Sequence, residues 1–192
     1  MARRKTITRE NILSAVYDVI STEGFEGFTA RNIAQAMNTS TQPIYLEFKN
    51  MDELRDVFFK RITTHIRADI YDNVVTDDPV VDTVLNYVTF AKNEPKLFRA
   101  VFIEEHDSRE QLSNFSRDIF LEKMSGNEVY DVLNTEQKES LYLTIWIIAT
   151  GLAALVSAGR AYPTQEQIIG IVENTVKISA LESGISFKWK EE

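Results

Sequence analysis

Apolar positions recur along nearly the whole chain at intervals of three and four, the spacing that lines up one face of an α-helix, and no sustained strand-like alternation interrupts them. Ile12, Ala15, Val16, Val19 and Ile20 make the first such face. Thr8 stands where an N-cap is needed, Ile7 and Ile12 are placed as a hydrophobic staple, and Gly24 ends the run. Ala30, Ile33, Ala34 and Met37 make the second face, opened at Thr29 with Phe28 and Ile33 as its staple. The third helix is expected from Ser40 as N-cap. Pro43 falls in its first turn, where backbone N–H groups have no intrahelical acceptor, and Ile44 and Phe48 share its inner face. Asn38 tolerates the left-handed conformation that a tight turn between the second and third helices requires.

Asn50 with Glu53 resembles a capping box and opens a long helix through Leu54, Phe58, Ile62 and His65 toward Tyr71. It is expected to belong to a first domain at its start and to a second for the rest. Asp78-Pro79 starts the next helix, with Val80, Val81, Val84, Leu85 and Val88 inside. Asn93-Glu94-Pro95 breaks the chain before Lys96 to Glu105, and a further amphipathic stretch runs from Ser108 to Met124. A turn or two is expected around Val129 to Leu133. Thr135 opens the most apolar segment, Leu141 to Val156, whose sixteen positions fall short of the ~20 that span a bilayer. No membrane partner is expected. A helix apolar on nearly all sides must be buried twice, in its own domain and against something else. Thr164 and Gln167 form another capping box for a final helix to Gly184, and residues 185–192 fit no element. Two such C-terminal helices from each of two subunits would make a four-helix homodimer interface within 135–184.

The second and third helices carry a further pattern. Thr41, Gln42 and Pro43 are left at the outer end of the third helix, where a helix-turn-helix places side chains that reach base edges in the major groove. Ile33-Ala34, a short spacer, a turn with Ser40, then Ile44-Tyr45-x-x-Phe48 and Asp52-Glu53-Leu54 resemble the DNA-binding segment of the TetR/AcrR regulators. The likeness covers roughly Thr8 to Leu54. The family usually has Gly-Val where this chain has Asn38-Thr39, His at Glu47 and Lys at Met51, so two phosphate-facing positions depart from its pattern.

The resemblance implies an all-α chain in two parts. Residues 1–50 would be an N-terminal three-helix helix-turn-helix DNA-binding domain, and residues 51–192 a larger helical effector-binding and dimerisation domain. It implies a ligand-responsive transcriptional regulator, most simply a repressor, that binds a palindromic double-stranded DNA operator as a homodimer. The rival is a TetR-like adaptor that has lost DNA binding and acts through protein–protein contacts.

Charge sharpens the picture. The net charge of −8 is unevenly spread: residues 1–61 hold nine Lys and Arg against eight Asp and Glu, and the rest holds 12 against 21. Arg3, Arg4, Lys5 and Arg9 precede the first acidic residue and form a local cationic arm suited to DNA backbone or minor groove. The chain has no cysteine and two histidines. With no glycine-rich phosphate loop, Ser-centred elbow or metal-ligand spacing either, an enzyme is not expected, and neither a cofactor nor a metal. The absence of cysteine and of an apolar run behind the N-terminal charges points to the cytoplasm.

Gln42 can pair with adenine, Thr41 can hydrogen-bond or touch a thymine methyl, and Pro43 offers an apolar edge. The resemblance places Arg31 at a base-reading position and Tyr45 and Lys49 at phosphate contacts, with Ser40 beside them at the helix start. For an effector, aromatic side chains are plentiful, and most must be core. Phe58, Ile62, His65, Phe98, Phe102, Phe115 and Trp146 are the candidates for lining its site. Glu104, Glu105 and His106 are polar alternatives suited to a cationic ligand.

Overall fold

The computed structural model describes residues 7–105 and 109–181; the side chains of residues 109 and 179–181 lie outside that description. The expected arm Arg3, Arg4 and Lys5, the candidate His106 and the tail 185–192 all fall outside it. The described residues contain no strand. Ten α-helices follow in order: α1 (Arg9–Glu23), α2 (Ala30–Ala36), α3 (Gln42–Glu47), α4 (Met51–Ile66), α5 (Pro79–Asn93), α6 (Pro95–Phe98), α7 (Arg109–Met124), α8 (Glu128–Asp131), α9 (Thr135–Ser157) and α10 (Gln165–Leu181). Two π-helical segments, Arg67–Tyr71 and Arg99–Ile103, directly follow α4 and α6.

Most helix starts are written in local capping chemistry. The Thr8 side chain accepts from Asn11 N–H while Asn11 returns a bond to Thr8 N–H, and Asn134 with Gln137 does the same for α9. Thr164 and Gln167 repeat the exchange before α10. Asp78 Oδ1 accepts from the N–H groups of Val80 and Val81, with Pro79 in the first turn of α5. Asn50 caps α4 as expected, but the Glu53 carboxylate turns to Lys49 N–H at 2.7 Å rather than to Asn50 N–H.

Contacts divide the chain into two compact units, residues 1–65 with 94–109, and residues 66–93 with 110–192. In the first unit, α1 packs on α2, α3 and α6 around Ile12, Val16, Ile20, Ile33, Ile44 and Phe48, all essentially inaccessible. α4 falls in this unit up to His65, whereas a split helix was expected. The reason is its apolar face. Leu54, Phe58 and Ile62 are buried, Phe59 meets Phe25 at 5.9 Å, Arg61 pairs with Glu10, and His65 stands edge-on to Tyr17. The segment 94–105 joins it through the Lys96 ammonium on the Thr22 carbonyl and Glu104 on Phe25 N–H.

The second unit is built on α5, buried at every position from Val80 to Val88 and packed against α9 and α10. Asn86 holds the segment before it, donating to the carbonyls of Ile70 (3.2 Å) and Asn73 (2.7 Å). α9 corrects the sequence estimate of an apolar segment too short to span a bilayer. At 23 residues it is long and apolar enough to cross a membrane by length and composition, because its capping box starts it six residues before the apolar run counted from sequence. Only 33% of its most apolar window is buried within the chain.

Candidate nucleic-acid interface and effector cavity

The turn between α2 and α3 has a defined geometry. Asn38 adopts φ 53°, Thr39 N–H bonds to Ala34 O, and Asn38 N–H bonds to Gln35 O, each at 2.9 Å. This is the Schellman arrangement that satisfies the last carbonyls of a helix, with asparagine at the left-handed position. The start of α2 is fixed by the Thr29 cap and by Asn32, whose amide reaches Glu23 Oε2 and Gly27 O. Gly27 permits this approach: a Cβ there would stand 2.6 Å from Glu23 Cβ.

α3 starts later than the sequence implied. Its N-cap is Thr41, already in helical conformation and without a side-chain cap bond, so Ser40 lies outside the helix. Pro43 in the first turn presets the backbone and removes one donor that would have needed a cap. Ile44 and Phe48 are buried against the rest of the head, which turns the opposite face of α3 outward. On that face Gln42 and Tyr45 are exposed and Pro43 is half-buried, as is the cap Thr41; Ser40 and Lys49 are exposed just beyond the two ends of the helix. Arg31 is exposed at the start of α2. Glu47 is exposed too, a carboxylate on the same short helix.

Leu46 escaped the sequence reading. It is 77% exposed, one turn after Gln42 on the same face, an apolar side chain suited to a thymine methyl. The i, i+4 spacing from Gln42 was the available signal.

Arg9 is placed differently from expectation. Its guanidinium lies 4.2 Å from the Phe48 ring centroid and donates to the Glu47 carbonyl (3.3 Å) and Glu53 Oε1 (3.0 Å), so it clasps the end of α3 rather than extending a cationic arm. The Glu53 carboxyl is held below its ordinary range, first by Lys49 N–H and then by Arg9.

The seven expected effector residues do not gather at one site. Phe58, Ile62 and Phe98 are fully buried core of the first unit, Phe102 meets Phe98 in a tilted contact at 5.7 Å, and His65 is exposed. Phe115 and Trp146 belong to the second unit. Phe115 meets Tyr71 edge-on there, and of the seven only Trp146 lines the unit's internal cavity. That cavity, about 10 Å³, is walled by Tyr71, Thr83, Val84, Tyr87, Ser116, Phe120, Tyr142, Ile145, Trp146 and Ala149. Burial pushes the phenols of Tyr71, Tyr87 and Tyr142 above their ordinary range, so they stay neutral donors. The hydroxyls of Ser116 and Thr150, beside Tyr71 and Tyr87, offset this only in part.

Residues 12–57 match the family model of the bacterial regulatory proteins of the tetR family. Among solved structures, a TetR-like transcriptional regulator from Rhodococcus sp. RHA1 superposes with TM-score 0.67 at 15% identity, over 93% of this chain and 99% of that one. A putative TetR-family transcriptional regulator from Vibrio parahaemolyticus gives 0.65 at 17% identity, over 88% and 96%. The fatty acid degradation regulator FadR from Bacillus halodurans gives 0.60 at 14% identity, over 92% and 96%. No curated protein matches the chain at a significant level of sequence similarity. Regulators of this family act by binding DNA and not by catalysis. The helix-turn-helix head thus matches the tetR family model over residues 12–57, and the fold over nearly all of the chain is similar to that of TetR-like regulators.

Proposed function

We propose that the protein is a ligand-responsive repressor that binds a palindromic operator as a cytoplasmic homodimer. The reading is carried by α3, whose inner residues Ile44 and Phe48 are locked in the core while Thr41, Gln42 and Pro43 stand on its outward rim. Thr41, Gln42, Pro43 and Arg31 would read bases; Ser40, Tyr45 and Lys49 would hold phosphates, with Arg3, Arg4 and Lys5 following the backbone. One head spans too few base pairs to find an operator. Two heads about 34 Å apart, or a multiple of that, read half-sites one or more helical turns apart.

The pairing surface is supported by apolar side chains left exposed on the last two helices: Ile147 and Leu155 on α9, Ile171 and Ile178 on α10. Covering them with the same helices of a second copy would bury α9 on its remaining sides. The functional division is then residues 1–50 for DNA and 51–192 for effector and dimer, with the effector held by the aromatic cavity of the second unit.

Glu47 on the exposed side of α3 favours a second reading, an adaptor without DNA binding, because a carboxylate facing phosphates opposes the main source of affinity. A salt titration on DNA from upstream of the protein's own gene separates the two. A repressor's specific binding weakens steeply and linearly in log–log form as salt rises. Absent or salt-independent binding selects the adaptor.

A further inference from the structure

We propose that the effector taken by the cavity in the second unit is an uncharged, flat aromatic molecule carrying an amide or oxygen that hydrogen-bonds to Ser116 and Tyr71. The proposal rests on the ligand-responsive reading above and names the chemistry of that ligand.

No wall of the cavity carries a charge: Asp, Glu, Lys, Arg and His are all missing from its lining. An ion placed there would lose its hydration with no opposite charge to replace it, which costs far more than one hydrogen bond returns. The walls are instead aromatic. Tyr142 stacks on Trp146 with 28° between planes and 6.1 Å between centroids, Tyr87 stands 5.4 Å from Trp146, and Phe120 stands 5.3 Å from Tyr142. Such surfaces favour a flat guest.

Two hydroxyls in the lining ask for a polar partner. Ser116 is 1% exposed and Tyr71 4% exposed; their hydroxyls lie beside one another, and neither Ser116 Oγ nor Tyr71 Oη meets any other hydrogen-bond partner. Buried hydroxyls are ordinarily satisfied. Tyr71 is also held in place: it ends the π-helical segment, and Asn86 grips the carbonyls of Ile70 before it and Asn73 after it. A guest that both donates and accepts satisfies both oxygens without moving the backbone.

The void of about 10 Å³ holds about one water, so a ring enters only by turning a wall outward. Trp146 is the part-exposed ring of the lining, whereas Tyr71, Tyr87, Phe120 and Tyr142 are buried, so Trp146 is the wall that turns.

The test uses the full chain carrying Trp189→Phe, which leaves Trp146 as the single tryptophan, since the sequence has two. Benzamide, toluene, benzoate and benzylammonium are titrated at neutral pH while Trp146 fluorescence is followed. Benzamide is expected to give a saturable change, with toluene about tenfold weaker for lack of the hydrogen bonds. Benzoate and benzylammonium should give none at the concentrations where benzamide saturates. Ser116→Ala and Tyr71→Phe, each checked for folding by circular dichroism, should bring benzamide toward toluene's affinity and leave toluene's unchanged. Tighter binding of either ion, no saturation with either neutral probe, or variants that weaken both neutral probes equally overturns the proposal. Operator release is measured separately. Benzamide that binds without weakening DNA binding sinks the ligand-responsive reading and spares the site, while a charged compound that releases DNA without touching Trp146 does the reverse.

Discussion

The Arg9 guanidinium lies 4.2 Å from the centroid of the Phe48 ring, joining the first residue of α1 to the residue that ends α3. Phe48 is 1% exposed and anchors α3 in the core, so Arg9 roofs the anchor while its donors hold the Glu47 carbonyl and Glu53. α3 has only six residues, too few to be stable alone, so its orientation depends on such tertiary ties. Arg9→Ala should therefore lower the head's stability by about 1 kcal/mol, the scale of a part-exposed cation–π contact with one ion pair. It should weaken operator binding at all sequences alike. A change in base preference without loss of stability, seen in denaturant melts and binding assays, would instead place Arg9 on the DNA.

Glu53 gives the head an acid-sensitive clasp. Its folded carboxyl is held below the ordinary carboxylate range of about 4.5, first by Lys49 N–H and then by Arg9. A lowered carboxyl contributes stability that is present above the unfolded value and is lost as pH falls through the folded one. The wild-type chain should thus lose stability from pH 4.5 downward, and Glu53→Gln should be less stable at pH 7 but show a shallower acid limb. Parallel acid limbs in urea melts of the two proteins would remove Glu53 from this role.

Base reading is tested at Gln42. It is exposed on the outward face of α3 and its amide can both donate and accept, the pattern that pairs with adenine. Gln42→Ala should relax preference at one position of each half-site by about 1–3 kcal/mol. Leu46→Ala, one turn along, should cost discrimination against bases lacking a methyl group. A selection experiment that finds unchanged preferences at every position would leave these side chains outside the interface.

Much of this was legible from sequence because helix starts are local. Thr8 as a cap and Thr164 with Gln167 announce themselves within four residues, and the buried faces of α1 and α2 follow from spacing alone; the return bond from Asn11 is seen only in the structure. The misses lie in backbone geometry and in long-range contacts, neither of which residue spacing records. α3 was placed at Ser40 since Ser is the better cap, but Thr41 enters the helical conformation and Pro43 makes a cap bond dispensable. Periodicity says that Phe58 and Phe98 are inside, not which unit encloses them. The π segments at 67–71 and 99–103 close through Asp72 N–H to Arg67 O and Glu104 N–H to Arg99 O, a register that leaves no mark in residue spacing. Arg9 looked like part of a free cationic arm because its partners lie 38 and 44 residues away.

The second unit has its own long-range tie. Tyr130 Oη donates to Asp78, 2.8 Å from both carboxylate oxygens, and the same Asp78 caps α5. Tyr130 is completely buried, and burial followed by the Asp78 carboxylate pushes its phenol above the ordinary range. Tyr130→Phe should cost about 1.5–3 kcal/mol, the range for a bond to a charged group. Because a raised phenol contributes stability that is present below 10.0 and lost as pH rises through its folded value, the wild-type advantage should narrow above pH 10. Equal stability of the two proteins at neutral pH would mean the bond is worth no more than the water it replaced.

Pairing is decided at α9 and α10. Ile147 and Leu155 are 52% and 47% exposed on a helix otherwise rich in apolar residues, with Ile171 and Ile178 at 41% and 58% on the next. Left bare, they would form the kind of apolar surface that soluble chains cover with a partner. A carboxylate at a covered site must be desolvated without a counter-charge, whereas at an open site it costs almost nothing. Ile147→Glu with Leu155→Glu should therefore leave helix content unchanged and shift light scattering from a dimer to the 22.0 kDa of one chain. Operator affinity should fall far more than either head's nonspecific binding, since only the palindrome needs two heads at once. Dimers that persist with both charges in place would move the interface off this pair of helices, and with it the geometry on which the palindromic operator depends.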